Sequence, residues 1–230
     1  NTWYEDNVLK VKQNGKYGLI NFKGEKILDI VYDEIYSLKG VKNSLILKKD
    51  GNTGICNNYG AIIADTIYKD ILALGNTNEN GYIVITSENK YGVLEIDKSI
   101  KIEPIYEDIK YIGSKDYYAV KQNGKIHLFD NSTKTVSDKT YDSIENINGE
   151  NVIIKTKNSY GIVDKLGNKK VDANYEYLEY AFSNYYIAKK SGKYGIIDIT
   201  GTEVVECKYK DIMANKSGEF IRADLDDVES

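Results

Sequence analysis

Repetition constrains this chain more than any other feature, because a period of about 35 residues commits it to one small unit used many times. The dipeptide Tyr-Gly stands at Tyr17-Gly18, Tyr91-Gly92, Tyr160-Gly161 and Tyr194-Gly195, and degenerate copies at Thr53-Gly54 and Ile126-His127 fill the gaps. The second residues of these pairs, taken as anchors, are spaced by 36, 38, 35, 34 and 34 residues. Fourteen residues after every anchor stands a tyrosine, with an aliphatic residue three further on: Tyr32/Ile35, Tyr68/Ile71, Tyr106/Ile109, Tyr141/Ile144, Tyr175/Leu178 and Tyr209/Ile212. That offset is constant, so length variation falls between this motif and the next anchor. Six units are expected, at about 8–38, 43–74, 81–112, 116–147, 150–181 and 184–215, with a C-terminal strand or tail at 219–230, all in one domain spanning 1–230.

Within a unit the pattern is short strands and tight turns. Asn14-Gly15, Asp50-Gly51, Asn123-Gly124 and Ser191-Gly192, with looser Glu88-Asn89 and Lys157-Asn158, precede the anchors. Such pairs tolerate the positive φ angles of a two-residue hairpin. Gly24, Gly60, Gly167 and Gly201 then turn the chain into a third strand, and the Tyr-x-x-Ile segment is expected to supply a fourth. The two residues after each anchor are apolar in every copy, as in Leu19-Ile20 and Ile196-Ile197. Neighbours on a strand face opposite sides, so such a strand is covered on both. No unit can bury both faces alone, and stacking on neighbours is required.

The run Gly-Lys-Tyr-Gly-Leu-Ile-Asn…Gly-Glu-Lys-Ile…Tyr-Asp-Glu-Ile, from Gly15 to Ile35, resembles the bacterial WG-repeat family, in which Tyr commonly replaces the Trp of Trp-Gly. Glu103-Pro104-Ile105-Tyr106 resembles the stretch that leads to the family's later Tyr. The likeness extends from about Val8 to Ile212, with local departures at Thr53 and at Ile126-His127. It implies an interaction repeat. The expected fold is all-β: six tandem repeats of three to four short antiparallel strands, arranged as a six-bladed β-propeller, with an open β-solenoid as the alternative. The first unit starts at its hairpin and the last runs on into residues 220–225, so a C-terminal strand is expected to complete the first blade and close the ring.

Composition narrows the function classes. The 230 residues include 21 Tyr and one Pro, at a mean hydropathy of -0.47 and a net charge of -4. Lysines alternate with carboxylates, and Arg222 is the single arginine, so neither a basic stripe for nucleic acid nor a polybasic membrane patch is present. No apolar run is long enough to span a bilayer as a helix. The first residues, Asn1-Thr2-Trp3-Tyr4, lack the charged start and apolar core of a leader and also lack an initiator Met, which leaves targeting open. Cys56 and Cys207 occupy different repeat positions and read as buried hydrophobes.

Few residues carry chemistry. The one histidine, His127, replaces an anchor glycine and reads as a tolerated substitution. A carboxylate stands eleven residues after every anchor (Asp29, Asp65, Glu103, Asp138, Asp172, Glu206) and is expected to cap backbone N–H groups rather than to bind a cation. Neither a metal site nor a cofactor is expected, and no catalytic residue is assigned. Aromatic residues in the length-variable segments are the candidate ligand contacts: Tyr111, Tyr117, Tyr118, Tyr180 and Phe182. Tyr82, Tyr117 and Tyr185 share one repeat position, which points to packing for that position. The expectation is a monomeric, non-enzymatic scaffold that binds a protein or glycan, outside the cell or at its envelope. Its alternatives are a carboxylate-based hydrolase or lyase on a propeller and a structural spacer in a longer protein.

Overall fold

The computed structural model describes residues 2–4 as backbone, and residues 8–215, 217–218 and 221–225 in full. It is all-β. The first sheet holds β1 (Thr2–Tyr4), β2 (Val8–Gln13), β3 (Lys16–Ile20) and β4 (Lys26–Tyr32), and the second β5 (Glu34–Ser37), β6 (Leu45–Lys49), β7 (Asn52–Cys56) and β8 (Ile62–Tyr68). The third comprises β9 (Asp70–Ala73), β10 (Tyr82–Ile85), β11 (Tyr91–Leu94) and β12 (Ile100–Tyr106), and the fourth β13 (Asp108–Tyr111), β14 (Tyr117–Gln122), β15 (Lys125–Asp130) and β16 (Thr135–Tyr141). The fifth comprises β17 (Ser143–Asn148), β18 (Asn151–Thr156), β19 (Ser159–Asp164) and β20 (Lys169–Tyr175), and the sixth β21 (Tyr177–Phe182), β22 (Tyr185–Lys190), β23 (Lys193–Asp198) and β24 (Glu203–Tyr209). A two-stranded seventh pairs β25 (Asp211–Ala214) with β26 (Ile221–Asp224). Each four-stranded sheet is an antiparallel meander, the unit from which propeller-type folds are built. Among the described residues the helical content is one 3-10 turn at Asn78–Asn80, and no helix is long and apolar enough to cross a membrane.

Sheet and sequence repeat are out of phase by one strand. The Tyr-x-x-Ile segment does not complete its own unit as expected. Its Tyr ends the last strand of one sheet, and its aliphatic residue opens the next, so that Tyr32 lies in β4 and Ile35 in β5. The residue after each Tyr fixes this crossing by donating its N–H to the second strand of the following sheet. Asp33 bonds Lys48 O at 2.7 Å, Asp142 bonds Lys155 O at 2.9 Å and Glu176 bonds Lys189 O at 2.9 Å. The phase also corrects the expected strand exchange. The first sheet takes its fourth strand from β1, which pairs with β2, while β26 pairs with β25. Of the expected tail, positions 219–220 and 226–230 lie outside the described residues.

The constant offset has a direct cause in cross-strand pairing. The anchor tyrosine and the later tyrosine face each other, as in Tyr17↔Tyr32, Tyr91↔Tyr106, Tyr160↔Tyr175 and Tyr194↔Tyr209, and Thr53↔Tyr68 and Ile126↔Tyr141 hold the same places. Between that pair and the next (Leu19↔Leu28), three residues of β4 bulge over the single anchor glycine. A Cβ on Gly18 would lie 2.7 Å from Leu28 O, and one on Gly195 2.5 Å from Val205 O. No side chain fits there. In the fourth sheet His127 pairs squarely with Thr140, and the bulge slides one residue to lie opposite Leu128. His127 Nδ1 then sits 2.8 Å from Ser137 O. Thr53 is fully buried, accepting from Lys48 Nζ at 2.6 Å and donating to Lys69 O at 3.1 Å.

The chain forms two compact units, residues 1–110 with 121–123, and residues 111–120 with 124–230. In the first, Val8, Leu19, Ile35, Leu47 and Cys56 join sheets one and two, and Ile46, Ile55, Ile71, Val84 and Leu94 join sheets two and three. In the second, Leu128, Ile144, Ile154 and Val163 join sheets four and five, and Ile153, Ile162, Leu178 and Ile197 join five and six. Ile196 and Ile212 carry the stacking on to β25. The apolar pair after each anchor is thus split between two cores, as Ile162 and Val163 show. Burying such side chains contributes about 1.5–3 kcal/mol apiece.

Candidate functional site

The six carboxylates eleven residues after the anchors are exposed on the bulged strands. They do not cap the turn as expected: Asp29 and Asp172 pair instead with Lys26 and Lys169, each at 2.6 Å. Capping falls to the residue three after the anchor, at the other end of the hairpin. Asn21 Oδ1 accepts from the N–H groups of Lys23 and Glu25, and Asp198 Oδ1 from those of Thr200 and Thr202. The Thr200 hydroxyl and those N–H groups hold the Asp198 carboxyl below its ordinary value. Among the described residues no group of three or more His, Cys, Asp or Glu side chains stands together as a metal site.

The expected ligand contacts do not converge. Tyr118 is fully buried, with its hydroxyl donating to Lys115 O at 3.0 Å, and is a packing residue. The position of Tyr82 is shared by Tyr118 and Tyr186, all three buried, and not by Tyr117 and Tyr185 as expected. The repeat alignment slips by one here because five residues lie between the paired Ile85 and Tyr91, against four between the paired Lys189 and Tyr194. Tyr111 ends β13 half-buried. Tyr180 packs edge-on against Tyr186 at 5.7 Å between ring centroids, and Phe182 lies against Tyr185 at 5.4 Å. Tyr117 lines a pocket of about 280 Å³ with Asp130, Ser137, Lys165 and Leu166, and Lys165 Nζ lies 4.8 Å from its ring centroid. That ammonium is already paired with Glu150 at 2.7 Å.

A second site lies within the second unit, between the fifth and sixth sheets. Its walls are Glu145 and Asn146 of β17, Tyr160 of β19, and Tyr177 and Glu179 of β21, over a floor of Ile153 and Leu178, and it encloses about 190 Å³. The out-of-phase strand builds it, because β17 and β21 are the edge strands through which each sheet receives the preceding repeat. The first residue of such strands is Glu34, Asp70, Asp108, Ser143 or Asp211 elsewhere, and an aromatic at Tyr177 alone. Tyr177 is 37% exposed. Its ring meets that of Tyr160 at 6.0 Å and 66°, edge to face. Its hydroxyl donates to Glu179 Oε2 at 3.1 Å, and burial followed by the Glu179 charge pushes its ionisation up to about 12. Glu145 Oε1 accepts from Ser143 Oγ at 2.5 Å. The Oδ1 of Asn146 is buried and has no hydrogen-bond partner among the described residues.

Neither Tyr160 nor Tyr177 stood out in the sequence. Tyr160 is absorbed by the anchor motif, and Tyr177 shows only as the one aromatic at an otherwise polar position. The anchor tyrosines also receive lysines: Lys12, Lys155 and Lys189 lie 5.0, 5.2 and 5.0 Å from the ring centroids of Tyr17, Tyr160 and Tyr194.

No protein of curated function matches the sequence. Solved structures show slight likeness to it. Kluyveromyces lactis Hsv2 is 10% identical over 82% of this chain and 68% of its own, with a TM-score of 0.45. The Neurospora crassa Pan2 WD40 domain is 13% identical over 95% and 82%, with a TM-score of 0.39. PorZ of Porphyromonas gingivalis, a surface component of the type-IX secretion system, is 13% identical over 97% and 37%, with a TM-score of 0.33. Likenesses this slight say nothing of what the chain binds. The family described as WG containing repeat matches residues 17–40, 91–125, 160–194 and 194–227, more than half of the chain. Those segments begin at the four intact Tyr-Gly pairs, with Tyr194 closing one segment and opening the next, and pass over Thr53-Gly54 and Ile126-His127. The chain belongs to the WG containing repeat family.

Proposed function

We propose that this chain is a non-enzymatic binding scaffold that takes a protein or glycan ligand in the groove between its fifth and sixth sheets. The observation that carries the reading is the exposed ring of Tyr177, set against Tyr160 at 6.0 Å in a cleft of about 190 Å³. Aromatic side chains on a rigid support supply large contact area at little entropic cost. In the groove Glu145 accepts from the Ser143 hydroxyl and Glu179 from that of Tyr177. Placement at a bacterial envelope belongs to the same reading and is supported by the family resemblance alone.

Peptide and glycan arrays probed with the full chain and with Tyr177→Ala test it. The intact chain is expected to select a discrete set of features, and the variant to bind them about tenfold more weakly, the loss typical of a central aromatic contact. Equal binding by both proteins would remove the groove from consideration.

A further inference from the structure

We infer that the pocket between the fourth and fifth sheets, lined by Tyr117, Asp138 and Lys165 among others, takes a neutral sugar ring. It shares no lining residue with the groove between the fifth and sixth sheets and does not depend on that groove. The pocket opens where the fourth repeat departs from its neighbours. Ten residues after the anchor stand Leu28, Ala64, Ile102 and Val171, all buried, and Val205, but Ser137 in the fourth repeat. The carbonyl of that residue approaches the anchor in both forms, as Leu28 O does at Gly18 and Ser137 O at His127 Nδ1. Packing of the next sheet shifts as well. At the glycine six residues after the anchor, an added Cβ would meet Ile27 at Gly60 and Val171 at Gly201, but at Gly167 it would meet Lys139, further along its strand. Val136 and Ser137 are left half-buried, beside a space of about 280 Å³.

The lining mixes donors with acceptors. Asp138 lacks the ion pair of its counterparts: Lys26 and Lys169 stand three residues before Asp29 and Asp172 and pair with them, whereas Thr135 stands there in the fourth repeat. Asp130 spends Oδ1 on the N–H and hydroxyl of Ser132 and leaves Oδ2 with the Tyr117 hydroxyl at a long 3.5 Å. Lys165 uses one of its N–H groups on Glu150 and brings a donor beside these acceptors. Ser137 Oγ accepts from Lys139 N–H at 3.1 Å, which frees its own proton to donate. A hydroxyl both donates and accepts, so a ligand carrying several meets carboxylate and ammonium together. An anion would face Asp130 and Asp138, and a cation would face Lys165. Tyr117, Leu128, Val136 and Leu166 present apolar surface to the C–H side of a ring, and Leu166, 79% exposed, is the side chain that such a ring would cover. The volume lies near the lower bound for small-ligand sites, which suits one or two sugar rings.

The test is a nuclear magnetic resonance titration of the full chain with the methyl pyranosides of glucose, galactose, mannose and N-acetylglucosamine, following the amides of residues 135–138 and 165–166. At least one sugar is expected to shift these amides saturably, with a dissociation constant on the order of 1 mM, the strength that about a dozen heavy atoms give in an open pocket. Ser137→Val restores the side chain that the fifth repeat carries at this place and fills the space. It should abolish the shifts and leave the unfolding midpoint unchanged or higher. Asp138→Asn, an exposed change, keeps an acceptor but loses its charge and should weaken binding about threefold. Silence at these amides with all four sugars, or shifts that persist undiminished in both variants, would overturn the inference. Shifts with tetramethylammonium where the sugars give none would overturn it in favour of a cation site. Sugar shifts confined to residues 145–146 and 177–179 would overturn it in favour of the groove between the fifth and sixth sheets.

Discussion

Gly195 and His127 occupy the same place in the repeat and solve it differently. At Gly195 the bulge of the facing strand would leave an added methyl 2.5 Å from Val205 O, so Gly195→Ala must push backbone against backbone. Guanidinium denaturation should show a loss of about 1–3 kcal/mol, the usual cost of overpacking. His127 escapes because its register has already shifted, and His127→Ala should cost less than the glycine substitution does. Asp198 supplies a prediction in pH. Its folded pKa lies below its unfolded value, so its contribution is present above about pH 4 and is lost as pH falls through the folded value. Asp198→Asn keeps the acceptor, as Asn21 and Asn57 do in earlier repeats, and its unfolding midpoint should fall less between pH 5 and about pH 2.5 than that of the unaltered chain. The thiols separate by burial. Cys56 is fully buried and its ionisation is pushed up to about 12, while Cys207 is part-exposed and raised, first by burial. A thiol reagent near pH 8 should modify Cys207 slowly in the native chain, and both only on unfolding.

At the scale of strands, much was legible in the residues. Five of the six predicted hairpin turns carry positive φ at both central positions, including Lys157 and Asn158 at 48° and 65°, where neither residue is a glycine. The apolar pair after each anchor correctly implied cover on both faces. What the residues could not show was phase. A Tyr-x-x-Ile segment pairs equally well with the strand before it or the strand after it, and the choice is made by backbone bonds such as Asp33 N–H to Lys48 O, which leave no trace in side-chain pattern. The site was hidden for the same reason. Tyr177 and Tyr160 become neighbours only once β21 is assigned to the sixth sheet. Ile144 of β17, the counterpart of Leu178 and 1% exposed, should show what such a borrowed strand contributes. Ile144→Ala is expected to destabilise by about 2–5 kcal/mol in the same denaturation assay, against less than about 0.5 kcal/mol for an exposed substitution such as Lys39→Ala.

Within each compact unit, stability is divided among successive interfaces, because neighbouring sheets share a core. Within the second unit, Leu128 belongs to the core of sheets four and five and Ile212 to that of sheet six and β25. Face-to-face sheets stand about 10 Å apart, so these two sites share no neighbour. The losses measured for Leu128→Ala and Ile212→Ala should therefore sum in the double variant to within about 0.5 kcal/mol. A large coupling would mean that the cores act as one. The binding groove follows from the same plan, since it lies where one repeat hands its strand to the next sheet. The most direct test of that plan is the set of backbone nuclear Overhauser contacts made by β21 in solution. The account predicts contacts from Leu178 to Ala188 and from Tyr180 to Tyr186, its partners in β22. Contacts from residues 177–180 to the preceding strand at 169–175 would return the segment to its own repeat and dissolve the groove.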